Sequence, residues 1–290
     1  MIPSLRPRRS VLFMPGSNAR ALAKARALPA DALILDLEES VAPDAKELAR
    51  RQVAAAVQQG GYGHRELVVR INALATRWGR DDVAAIAACA ADAVLVPKVE
   101  SRDEVQGVVD ALREAGAPSD LPVWVMAETP LAFLRLDAIA GAHPRLKVIV
   151  VGTSDLVKDL HARHSRQRSE TATALSMAVL AARAHGLGVL DGVHLDLDDD
   201  EGLRCACEQG RGMGFDGKTL IHPRQIAAAN AAYGPSADEL DAARRIQAAW
   251  DKARAAGQGV VVVDGRLVEH LHVLEAARLL AVAAAIAANA

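Results

Sequence analysis

Charged side chains recur just after the short apolar runs of this chain, and that placement is the first clue to chemistry. Asp36, Glu38 and Glu39 follow one such run, and Arg70 and Asn72 end the next. Lys98 and Glu100, Glu128, Asp155 and Asp191 mark the ends of the runs after that. One residue of this kind reads as a helix cap or a solvated loop; a set at the same end of nearly every run reads as a site. Glu128 and Asp155 form the candidate metal pair. Oxygen donors suit magnesium, which keeps several waters and needs only one or two protein carboxylates when the substrate supplies further oxygens. The competing reading pairs Glu128 with Arg70 or Lys98 and makes Asp155 a helix cap. Arg70 is a charge inside an otherwise apolar run. It either grips a substrate carboxylate through two parallel hydrogen bonds or bridges to Asp36 or Glu38.

Other chemistries find little support. The nine histidines form no H-x-x-x-H or H-E-x-x-H zinc pattern; His161 and His164 sit in a basic loop, and His222 before Pro223 reads as structural. No G-x-S-x-G is present. The cysteines, Cys89, Cys205 and Cys207, are odd in number, lack metal-site spacing and read as reduced thiols of a cytoplasmic protein. A net charge of −2 provides no global field for nucleic acid or anionic lipid. The start, MIPSLRPRR, is basic, but the apolar run at 11–14 is too short for a secretory signal. The apolar stretch at 279–290 has twelve residues, too few to span a bilayer, so no membrane partner is expected.

The elements that would hold these residues alternate regularly. Eight strand-like runs stand at residues 10–15, 32–37, 67–72, 93–97, 123–127, 148–152, 188–191 and 217–221. They are rich in Val, Ile and Leu on both faces, as in a parallel sheet covered on both sides. Helix formers fill the gaps, as at 45–58, 82–91 and 172–185. Eight strand–helix repeats predict an α/β fold, a (β/α)8 TIM barrel over residues 1–226, with its catalytic groups at the C-terminal mouth. The last run is the least strand-like, because Lys218 and Thr219 interrupt it. An open doubly wound sheet would show a glycine-rich phosphate turn, but 14–18 (MPGSN) has one glycine and no G-x-G-x-x-G. Beyond His222-Pro223 the rhythm changes to helices at 225–232 and 237–256, a hairpin at 259–269 turning on Asp264-Gly265, and a helix at 271–288. Residues 227–290 are therefore expected as a helix–hairpin–helix extension, either a cap on the barrel or a lid and oligomerisation segment.

Several stretches, in order across nearly the whole chain, resemble one family. They are RRSVLFMPGSN (8–18), LILDLEESVAPDAKELAR (33–50), VVRIN (68–72), VLVPKVES (94–101), MAETP (126–130), GTSDL (152–156), LDGV (190–193) and GFDGKTLIHPRQI (214–226). The combination resembles the citrate lyase β-subunit-like (CitE-like) family of the HpcH/HpaI aldolase superfamily, which includes malyl-CoA and citramalyl-CoA lyases. The resemblance implies a barrel assembled as homotrimers or hexamers, with Mg²⁺ on Glu128 and Asp155 and with Arg70 on the keto-acid half of the substrate. Asp36, Glu38 and Lys46 match positions around the site, with Asp36 and Glu38 expected among its catalytic groups; Lys98 and the Gly152, Thr153 and Ser154 stretch are expected to line the substrate. The implied reaction cleaves a short 3-hydroxyacyl-CoA to acetyl-CoA and a 2-keto acid. Within the same resemblance stand a citryl-carrier lyase subunit, a thioester hydrolase and a weakly catalytic acyl-CoA-binding homologue. One departure concerns a catalytic acid. The family often carries an aspartate after the hairpin, donated to a neighbouring subunit, where this chain has Glu269 in GRLVE at 265–269.

Overall fold

The computed structural model describes residues 6–289. The first five residues of MIPSLRPRR and the final Ala290 lie outside the described residues. The described residues divide into two compact units, Arg8–Ala231 and a second one made of residues 232–289 with Arg6 and Pro7.

The larger unit is a closed barrel of eight strands, β1 (Ser10–Pro15), β2 (Ala32–Asp36), β3 (Glu66–Arg70), β4 (Ala93–Val96), β5 (Val123–Ala127), β6 (Leu146–Val151), β7 (Gly188–Asp191) and β8 (Gly217–Leu220). Neighbouring strands are parallel throughout, and β8 returns to β1. Helices cover it: α1 (Ala19–Lys24), α2 (Lys46–Gln59), α3 (Gly79–Ala87), α4 (Arg102–Glu114), α5 (Pro130–Leu134), α6 (Leu136–Ala140), α7 (Thr153–Asp159), α8 (Ala172–Ala184) and α9 (Asp200–Met213). Inside lies a cluster of Val11, Ile34, Val68, Leu95, Trp124, Met126, Val148, Val150 and Leu190, all buried. Full burial of each such side chain contributes about 1.5–3 kcal/mol.

The strand runs read from the sequence coincide with these strands, with small shifts at the ends. Leu37 and Gly152 fall just past β2 and β6, although their N–H groups still donate to Arg70 O and Ala127 O at 2.9 Å. Pro97 leaves the ladder because it has no N–H to donate. β8 is a strand despite Lys218, whose charge is met inside the barrel by Asp191. One register detail matters for the site: Asp36 on β2 pairs directly with Arg70 on β3.

α10 (Ile226–Tyr233) leads out of the barrel unit. In the second unit α11 (Ala237–Ala255), β9 (Val261–Val263), β10 (Arg266–Val268) and α12 (His270–Ala288) follow one another. β9 and β10 form the expected antiparallel hairpin, and Asp264 and Gly265 both have positive φ, 50° and 75°, as a type I′ turn requires. The apolar stretch that begins at 279 runs to Ala288 inside α12, the helix expected at 271–288. Among the described residues α12 alone is long and apolar enough to cross a membrane by length and composition, so twelve residues understated it. Its Glu275–Arg278 ion pair at 2.7 Å and its two histidines are groups that a bilayer core would have to desolvate.

Candidate active site at the barrel mouth

Arg70 reaches inward from the end of β3 and is spent differently from a substrate clamp. Its Nε and Nη2 donate to Asp36 Oδ1 and Oδ2, each at 2.7 Å, in a buried bidentate bridge. Only Nη1 remains, 3.3 Å from Glu38 and 3.7 Å from Glu39, with Met126 Sδ at 3.5 Å. The guanidinium also lies over the Phe13 ring, 4.7 Å from its centroid. The two-pronged grip on a substrate carboxylate is thus corrected: the fork faces Asp36, and one nitrogen faces the mouth.

Asp36 is corrected with it. The Ser40 hydroxyl and the N–H groups of Glu38 and Ser40 also donate to its carboxylate, which is fully buried. Burial would raise its pKa, but Arg70 and these donors outweigh burial and hold it below the usual carboxylate value. With its lone pairs engaged, Asp36 anchors the site and has no free oxygen for acid–base work. Removing one partner of a buried pair costs about 3–5 kcal/mol. Lysine keeps the charge and loses the fork, so Arg70→Lys is expected to lower the unfolding free energy by about 3 kcal/mol in a urea titration. Unchanged stability would mean that the fork is dispensable.

Glu128 follows β5 and is 2% exposed. Its Oε1 accepts the Lys98 N–H at 2.7 Å. That N–H points correctly because Lys98 takes a left-handed backbone, φ 53°, rarely adopted by a residue with a side chain. On the other side Gly152 makes room: a Cβ there would meet Glu128 Cβ at 2.4 Å and Oε2 at 2.6 Å. Burial pushes the Glu128 carboxyl up to about 7; the Lys98 N–H and Arg70 oppose the rise, and Asp155 adds to it.

Asp155 lies in the first turn of α7, which begins at Thr153. Lys98 Nζ stands 4.0 Å from Asp155 and 3.9 Å from Glu38. Glu38 is partly shielded, its side chain 18% exposed. Burial raises its pKa, and Arg70 and Lys98 counter only part of that. Glu38, Arg70 Nη1, Lys98, Glu128 and Asp155 are therefore brought together. Gly152 serves as space for Glu128, Thr153 is buried, and Ser154 is half-buried in the first turn of α7. Glu269 belongs to the C-terminal unit, exposed, with its N–H donating to His272 Nδ1 at 3.0 Å.

One group of partners escaped the sequence reading. Asp191, fully buried at the end of β7, is held by Lys218 at 2.8 Å and by a two-pronged Arg168. Lys218 also donates to Gly192 O. A Cβ at Gly192 would strike Thr153 Oγ1 at 2.4 Å, so this anchor abuts the start of α7. The signal was a lysine interrupting a strand, but its partner lies 27 residues away. Thr153 also borders a cavity of about 290 Å³, with Arg168, Val193, His194 and Leu195 on its walls.

The donor set is all oxygen. Among the described residues no group of three or more His, Cys, Asp or Glu is arranged to hold a metal. A hard divalent ion would thus sit between Glu128 and Asp155 and take its remaining ligands from substrate and water. The space at Glu128 Oε2 kept open by Gly152 fits that arrangement. Such a mouth can hold an anionic substrate between acids that bind a cation and cations that face carboxylates.

Comparison with known proteins agrees with this architecture. The model of the HpcH/HpaI aldolase/citrate lyase family matches residues 9–223. A (3S)-malyl-CoA thioesterase of Cereibacter sphaeroides is 50% identical over 97% of this chain and 96% of its own. The citrate lyase subunit beta of Escherichia coli is 37% identical over 94% and 92%. The crystal structure of CitE from Mycobacterium tuberculosis in complex with magnesium, acetoacetate and coenzyme A superposes with a TM-score of 0.78 at 33% identity, covering 97% of this chain and all of that one. The chain belongs to the HpcH/HpaI aldolase/citrate lyase family.

Proposed function

We propose that this protein is a Mg²⁺-dependent hydrolase of a short 3-hydroxyacyl-CoA of the malyl-CoA class. The observation that carries the substrate class is the Glu128–Asp155 acid pair set beside Lys98 and Arg70 Nη1 in one mouth. A hydroxy acid thioester with a free carboxylate has the oxygens to complete an ion on Glu128 and Asp155, and a negative end to face the cations. The likeness to the thioesterase, 50% identical nearly end to end, supports hydrolysis as the reaction.

Mg²⁺, when bound, supplies Lewis-acid polarisation of substrate oxygens and fixes their orientation. The protein's own groups do the rest. Glu38, with its raised pKa, is the base that takes a proton from water. The water oxygen bonds to the thioester carbonyl carbon, the carbon–sulfur bond breaks, and the departing thiolate takes the proton that Glu38 received from water, giving free CoA and restoring the base. Lys98 and Arg70 Nη1 stabilise negative charge at the mouth. Carbon–carbon cleavage is the second reading, supported by the likeness to citrate lyase subunit beta. In it the same base removes the proton of the 3-hydroxyl group.

Products separate the two. Purified protein incubated with (3S)-malyl-CoA and Mg²⁺ is expected to release free thiol and malate in equal amounts. Acetyl-CoA and glyoxylate without free thiol would overturn hydrolysis in favour of cleavage.

A further inference from the structure

Lys46 takes no part in the proposed reaction, yet every hydrogen of its ammonium is engaged. It opens α2 and is 6% exposed. Its Nζ donates to Leu37 O at 2.8 Å, to Glu38 O at 2.5 Å and to Asn72 Oδ1 at 2.8 Å. The first two acceptors are the carbonyls on either side of the Glu38 Cα. Asn72 Nδ2 donates to Leu37 O as well, at 2.8 Å, so that one oxygen receives two donors. Asn72 is fixed in turn by Asp82, which accepts from its backbone N–H at 2.9 Å and from Nδ2 at 2.6 Å; Arg50 holds Asp82 at 2.8 Å. From the opposite side, the Glu38 N–H donates to Asp36 Oδ1 at 2.9 Å.

The backbone of Glu38 is thus tied at its N–H, its carbonyl and the carbonyl before it. Its carboxylate meanwhile projects toward Arg70 Nη1 and Lys98 Nζ. Burying an ammonium is costly, and an apolar side chain could join a helix to a loop without that cost. What an apolar side chain cannot do is fix two successive carbonyls in one orientation. We infer that Lys46, assisted by Asn72, is a positioning residue that sets the Glu38 carboxylate in the barrel mouth. This rests on Glu38 acting as the base.

The test compares Lys46→Met, Glu38→Gln and the double variant, each with Mg²⁺ and the thioester that wild type turns over. Lys46→Met keeps the length of the side chain and removes its donors. It should lower kcat by about 10²-fold, the scale of a 1 Å misplacement, with little change in KM. Amide hydrogen exchange should quicken at residues 37–40. Added to Glu38→Gln, it should cost nothing further. Lys46→Arg, which keeps donors, should recover part of the loss. If Lys46→Met does not fold, Asn72→Ser should give a smaller loss of the same kind. A folded Lys46→Met with wild-type kcat overturns the inference, and so do losses that multiply in the double variant. Those outcomes leave an inactive Glu38→Gln, and with it the base assignment, intact. A fully active Glu38→Gln removes the base assignment itself, and the role of Lys46 falls with it.

Discussion

Gly152→Ala is expected to abolish metal-dependent turnover while leaving the barrel folded. The backbone at Gly152 has φ −95°, which alanine adopts freely, so the change is one of space alone. The added methyl would lie 2.4 Å from Glu128 Cβ and 2.6 Å from Oε2, closer than real Cβ contacts occur. Two groups must then move. One is the Glu128 carboxylate, the other the start of α7, which carries Asp155 and is tied to β5 through the Gly152 N–H to Ala127 O. Displacing both candidate ligands by near 1 Å should lower kcat/KM by at least about 10²-fold. Mg²⁺ affinity should fall in parallel, and circular dichroism should stay native. Wild-type kcat/KM in this variant would mean that the observed placement of Glu128 has no bearing on catalysis.

The second large effect is on stability, and its sign is unusual. Glu128→Gln should inactivate the enzyme and yet stabilise the metal-free protein at pH 8. The folded Glu128 pKa is pushed up from 4.5 to about 7, so the native state holds this proton more tightly than the unfolded chain does. Its stability is therefore full below pH 4.5, declines as pH rises toward 7, and stays reduced above that. A displacement from 4.5 to about 7 is worth about 3 kcal/mol. Glutamine has no charge to bury, so at pH 8 in EDTA the variant should gain stability on that order. The gain should vanish as pH approaches 4.5. Urea titrations at both pH values measure it. A variant less stable than wild type at pH 8 would show that the carboxylate is not held at a cost.

The fold was legible because it rests on local pattern. Val, Ile and Leu runs at 10–15, 123–127 and 188–191 coincide with β1, β5 and β7, and Asp264-Gly265 marks its own hairpin. The mouth was legible for a similar reason, since parallel strands place their last residues at one end. Partner choice was not. Whether the Arg70 fork faces a substrate or Asp36 depends on the β2–β3 register, a contact across 34 residues. Gly152 and Lys98 matter through a missing Cβ and a backbone angle, and neither property shows in residue type or spacing. Lys218 looked like a flaw in a strand until Asp191 stood beside it. The reaction was the least legible, because hydrolysis and carbon–carbon cleavage ask the same things of these side chains.

The central claim is that Glu128 and Asp155 hold one Mg²⁺ at the mouth, and calorimetric titration of the purified protein with Mg²⁺ tests it most directly. Wild type should bind one ion per chain. Glu128→Ala and Asp155→Ala should each lose most of that affinity while remaining folded. Unchanged Mg²⁺ affinity in both variants would contradict the claim.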